Sequence, residues 1–142
     1  IWYHDSVYDP QASDNEARSA DWAHADLTTL GLPPAEVAHT LQLILATQHH
    51  PSTADPDSAL LLDADLSILG ADPTTYHDYA AAIRQEYAWV AEEAYRIGRV
   101  AVLQRFLARP RLFNTDTFFA AYEQAARTNL QQEITHLQEQ TE

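Results

Sequence analysis

Cysteine is missing altogether from the 142 residues. Its absence excludes disulfides, thiolate nucleophiles and zinc–thiolate centres, and fits a cytoplasmic protein. Any metal would have to be held by His, Asp and Glu. Glycine is scarce, with three residues, while Ala, Leu, Gln, Glu and Arg, which favour helix, are abundant. Positive charge is scarce too: 8 basic residues face 21 acids, for a formal net charge of −13. A surface that negative repels phosphate backbones and anionic lipid, so general nucleic-acid binding and membrane docking are not expected, whereas cation binding is. No apolar run approaches the ~20 residues of a membrane span. No signal peptide is recognisable, and because the first residue is Ile rather than Met we expect natural sequence upstream of it.

What is present is enough for one domain with a real core. Apolar residues make up 46% of the chain, so the composition is not that of a disordered segment. Residues 1–5 read as the last turn of a helix, and Pro10 breaks the loop that follows. Ser13 and Glu16 have capping-box spacing ahead of a helix that stops at Gly31. Pro34 suits the start of a second helix, over Glu36 to about His49, with Val37, Leu41, Ile44 and Leu45 at helical spacing. Ser58 to Leu69 is almost wholly apolar, and its length favours a buried helix over a strand. Asp72–Pro73 pairs an N-cap with a first-turn proline, for a helix to about Trp89 or Val90. A further helix over Ala91 to Ala108 would turn Ile97, Val100, Leu103 and Leu107 inward. Thr115 caps a last one, whose polar end, 131–142, reads as frayed or packed on a partner. Repeats, domain linkers and strand-like alternation are absent. The expected architecture is all-α, a single bundle of six or seven helices over 1–142.

Three places could do chemistry. His4 and Asp5 stand side by side, about 100° apart on a helix, and a neutral imidazole and a carboxylate are ligands that a divalent cation accepts. The plainer reading is a surface pair near a chain end. His49 and His50 close the second helix, where they could hold a cation or a phosphate, or simply interact with the helix dipole. Asp63 and Asp65 interrupt the leucine-rich stretch, and a carboxylate buried there must be paired, metal-bound or protonated. Asp65, with Leu61, Ile68 and Leu69 one turn away, is expected to look inward, and Asp63 to lie about 200° away. The structural alternative is an Asp bonded to Arg or to backbone N–H groups. His24, His39, His77 and His136 sit among polar neighbours and read as surface residues.

The series His–Asp, His–His, Asp resembles the HD superfamily of metal-dependent phosphohydrolases. The segments IWYHDSVYD, ILATQHH, LLLDADLSILG, AAIRQEYAWV and RVAVLQRFLARPRLFNT look like one bacterial branch of it, over nearly the whole chain. The resemblance implies a helical HD-type domain with a divalent cation (Mn, Mg, Co, Fe or Zn) on His4, Asp5 and Asp65. Asp63 is then a helper behind the ligands, and His49 and His50 match positions where two-metal members add ligands. The superfamily's first His would lie upstream of His4, so an N-terminal helix or helices are expected beyond this sequence.

On that reading the chain is a phosphomonoesterase or phosphodiesterase acting on a small phosphorylated metabolite or nucleotide. Asp5 would share the proton of the attacking water, and His49 or His50 would hold the phosphate or protonate the leaving oxygen. Arg84 and Arg99 are candidates for phosphate contact, since a guanidinium binds two oxygens at once; the alternative for both is ion pairing. Two rivals from other classes stand beside it. One is a non-catalytic ligand-binding or interaction module on an HD-like scaffold. The other is a structural helical homodimer using the polar C-terminal helix and exposed aromatics such as Trp22 and Trp89.

Overall fold

A computed structural model describes residues 2–139, and the regular structure among them is entirely helical. The helices are α1 (Asn15–Thr29), α2 (Pro34–Ala46), α3 (Pro56–Leu66), α4 (Pro73–Glu86), α5 (Glu92–Leu107) and α6 (Asp116–Glu139), with a 3-10 turn, Ser67–Gly70, between α3 and α4. The all-α expectation therefore holds. The chain divides into two compact units, Ile1–Leu62 and Asp63–Glu142, so that the division falls within α3. No helix among the described residues is long and apolar enough to cross a membrane.

In the first unit, α1 and α2 pack together through Ala20, Ala23, Leu27, Val37 and Ile44, with Tyr3, Leu32 and Leu41 at the edge. The turn joining them is fixed by Gly31. Its φ of +79° is a left-handed conformation that lets Leu32 N–H reach Leu27 O (3.1 Å) and Gly31 N–H reach Thr28 O (3.0 Å). These bonds satisfy the last carbonyls of α1, and a side chain at that φ would be strained. Residues 2–5 form turns rather than the helical end read from the sequence. The segment is tied down on α1 instead: Tyr3 Oη donates to Asp26, and Val7 N–H donates to the fully buried Ser19 Oγ (3.0 Å).

The capping box at Ser13 and Glu16 does not form. The N-cap position of α1 falls on Asp14, with no side-chain cap bond. Asn15 bridges to the backbone of Asp9 through Asp9 N–H to Oδ1 (3.0 Å) and Nδ2 to Asp9 O (2.8 Å). That local loop closure sets where the helix begins. The Asp72 cap does form: its carboxylate accepts from Thr74 N–H, Thr75 N–H and the Thr75 hydroxyl. The Thr75 bonds hold the Asp72 carboxyl below the usual carboxylate range.

The second unit is built on one apolar stripe of α6. Ala126, Leu130, Ile134 and Leu137 recur at helical spacing and pack against Leu66, Leu69, Tyr76, Tyr95, Leu103, Leu112 and Phe113. Phe113, Phe118 and Tyr122 stack beside that stripe with centroids 5.5–6.2 Å apart. The polar end of α6 is therefore core-packed as far as Leu137; residues 140–142 lie outside the described residues. Ile97, expected inward, is 66% exposed, while its turn-mates Tyr95 and Leu103 hold the buried face of α5.

Gly70 lies against α6. A Cβ built there would meet Tyr122 Cβ at 2.7 Å and Tyr122 O at 2.8 Å, and the carbonyl cannot move without disturbing the helix. We expect Gly70→Ala to destabilise the fold by about 1–3 kcal/mol, read as a lower midpoint in urea with an unchanged slope.

Candidate functional site

Within the first unit, the structure brings His4 and Asp5 into contact, His4 Nε2 to Asp5 Oδ2 at 3.3 Å. His4 is half-buried, while the Asp5 side chain is 63% exposed, so the carboxylate is open to solvent and the imidazole backs it. His49 and His50 follow the end of α2, their amides both bonded to Ala46 O. His50 has φ +45°, the single positive φ at a non-glycine residue among those described. A side chain in that region costs about 1–2 kcal/mol. Pro51 follows at once and bars any return to helix. His39, read as a surface residue, pairs with Asp57 at 3.0 Å.

Asp63 and Asp65 of α3 reverse their expected burial. Asp63 is fully buried and Asp65 half-buried. Helical spacing alone gave the opposite, because an apolar stretch with neighbours on all sides hides which face meets the core. Asp63 receives four hydrogen bonds. Asn114 donates its N–H (2.7 Å) and Nδ2 (3.3 Å) to Oδ1, and Thr115 donates its N–H and hydroxyl (both 2.7 Å) to Oδ2. Thr115 in turn caps α6 by accepting from Phe118 N–H (3.3 Å). Asp63 therefore sits at the positive end of α6, where donors and dipole both favour the anion. This is the structural alternative stated for it: a buried Asp bonded to backbone N–H groups.

Both arginines named as phosphate contacts are engaged by carboxylates. Arg84 pairs with Glu92 (2.9 Å) and donates to the Tyr87 and Val90 carbonyls. The turn after α4 brings the start of α5, and with it Glu92, alongside Arg84. Arg99 donates from Nε (2.7 Å) and Nη2 (3.1 Å) to the two oxygens of Glu133, and Tyr76 Oη donates to the same carboxylate. Burial works against the Arg99 cation, yet the bonds from Glu133 hold it above the ordinary guanidinium range. Burial, followed by the bond to Glu133, raises the Tyr76 phenol well above its usual value.

Sequence reasoning missed a further set of charged residues on α6. Glu123 accepts from Leu112 and Phe113 N–H, and Arg127, bonded to Glu123, donates to the Leu107 and Arg109 carbonyls. Asn129 Nδ2 donates to Leu69 O and Ala71 O (2.9 Å each). The signal was an acid or amide one step beside the stripe Ala126–Leu130–Ile134, which a surface i, i+4 pair mimics. Among the described residues no buried side-chain nitrogen or oxygen lacks a partner.

A cavity of about 350 Å³ opens in the second unit between α4, α5 and α6. Tyr76, Tyr95, Ala80 and Leu137 give it apolar walls, and His77 and His136 stand in its lining. No group of three or more His, Asp or Glu suited to a metal ion occurs among the described residues.

Two outcomes follow. Asp63→Ala strands the Asn114 and Thr115 amides and should cost about 3 kcal/mol or more, with faster amide exchange at both residues; Asp63→Asn, which keeps one acceptor, should cost less. For the Tyr76–Glu133–Arg99 cluster, the folded phenol holds its proton above its unfolded value of 10.0, so its contribution is complete below that pH and fades as pH rises through it. Stability measured across the alkaline range should therefore fall above about pH 10, and Tyr76→Phe should flatten part of that fall.

Set against known proteins, the chain matches no family model, no curated protein and no solved structure.

Proposed function

We propose that this chain is a metal-dependent phosphohydrolase of the HD type, hydrolysing a phosphomonoester or phosphodiester of a small metabolite or nucleotide. The observation that carries the reading is the His4–Asp5 contact of 3.3 Å, with the carboxylate facing solvent. An imidazole nitrogen beside an ionised oxygen is a donor set that borderline and hard divalent cations accept. With Asp65 as the further ligand that the HD resemblance implies, His4 and Asp5 would hold the cation. Its chemistry, once bound, is to lower the pKa of water and to offset phosphoryl charge.

The remaining work belongs to the chain's own groups. Asp5, exposed on one side, accepts the proton of the attacking water. His49 or His50, held at the end of α2, would contact the phosphate or protonate the leaving oxygen. Arg84 and Arg99 are engaged in ion pairs with Glu92 and Glu133, and Asp63 is bonded at the α6 N-terminus. With 21 acids in the chain, the substrate is a small phosphoester rather than a polyanion.

One observation favours a second reading, a ligand-binding module without catalysis. The second unit has a cavity of about 350 Å³ whose nearest charges, Arg84–Glu92 and Glu133–Arg99, are already paired, which suits binding more than turnover. Elemental analysis together with hydrolysis of a generic phosphoester separates the two. Under the hydrolase reading the protein retains a stoichiometric divalent metal, and His4→Ala and Asp65→Ala each release it and reduce turnover about 100-fold or more. Metal content and turnover that survive Asp65→Ala would sink the assignment.

A further inference from the structure

We infer that the exposed face of α5 is a self-association surface, on which a second copy of this chain docks with its own α5 antiparallel. Four observations converge on it. Ile97 is 66% exposed in the middle of a helix whose other large aliphatics are at least half-buried. Ala94, Gly98 and Ala101 lie beside it and are exposed as well. A Cβ built on Gly98 meets nothing within 4 Å, so no contact inside the chain requires glycine there. Glycine weakens a helix interior, and close approach of another backbone is the common reason to tolerate it.

The charges of α5 complete the case. Glu92 is paired with Arg84, and Arg99 with Glu133. Glu93 and Arg105 are exposed and pair with no opposite charge among the described residues. Arg105 also presses on Arg109, whose guanidinium burial and then Arg105 hold below the ordinary range, so an acid brought to this end of the helix relieves a like-charge contact. Glu93, Ile97, Ala101 and Arg105 are spaced by four, one ridge about 18 Å long on a helix rising 1.5 Å per residue.

Antiparallel pairing about a twofold axis at Arg99 sets Glu93 opposite Arg105 of the other copy. The same register sets Ile97 opposite Ala101, a large side chain over a small one. Charge and shape thus select one register, and an isologous contact satisfies both ends of both helices. The partner is a second copy rather than an unrelated protein because the face is complementary to itself. With a net charge of −13 on each chain, association needs this local pairing, and one helix face is a small interface, so the dimer is concentration-dependent.

Light scattering of the purified chain over a dilution series tests this. The wild-type mass should climb from 16.0 kDa toward twice that value with concentration. Ile97→Arg should stay monomeric throughout, with an unchanged helical circular dichroism spectrum because the site is exposed. Glu93→Arg and Arg105→Glu should each weaken the dimer about tenfold, and the double variant should restore it, since the reversed pair meets across the same register. Gly98→Ala should raise helix stability and yet loosen the dimer. A wild-type protein monomeric at every concentration, a dimer indifferent to Ile97→Arg, or a double variant no tighter than its parents would overturn the assignment.

Discussion

A carboxylate shut away from water has to be met by donors, and the second unit is arranged around meeting one. Asp63 is fully buried at the end of a leucine-rich run, and its four donors come from two consecutive residues more than fifty positions later, Asn114 and Thr115. The two backbone donors stand just ahead of α6, where the helix start directs N–H groups at the carboxylate. One interaction thereby places the end of α3, the loop after α5 and the start of α6. The loop is held from its other side by Glu123 on the Leu112 and Phe113 amides and by Arg127 on the Leu107 and Arg109 carbonyls.

The same logic explains how charged residues of α6 are buried. Glu133 receives Arg99 twice and Tyr76 once, so its charge is neutralised and all three side chains are oriented. Such groups are strongly destabilising to break singly, which makes them positional constraints more than sources of net stability. The first unit has less of this. Among its ties are Ser19 and Tyr3, which dock the N-terminal segment on α1, and Asn15, which bridges to the Asp9 backbone. The His4–Asp5 pair lies in that segment, with the Asp5 carboxylate open to solvent.

The phosphohydrolase proposal and the self-association surface concern different residues and stand apart. The first lives on imidazoles and carboxylates near the start of the chain and on Asp65. The second lives on α5, whose exposed ridge carries an acid at one end and a base at the other, neither paired with an opposite charge among the described residues.

Sequence alone determined what local physics controls. Helix-forming composition and the scarcity of glycine made the chain all-α; Pro34, Asp72–Pro73 and Thr115 started helices and Gly31 ended one, each through backbone effects that reach only a few residues. The adjacency of His4 and Asp5 was likewise readable, because neighbours in the chain are neighbours in space. What tertiary structure decided was every choice among faces. Asp63 rather than Asp65 turned inward, Ile97 turned outward, and Arg84 found Glu92, because partners more than a turn away leave no periodic trace. The capping box at Ser13 lost to a longer-range tie between Asn15 and Asp9. A helix that is apolar nearly all round announces burial, but only the packed neighbour decides whether Asp63 or Asp65 is the one shut in.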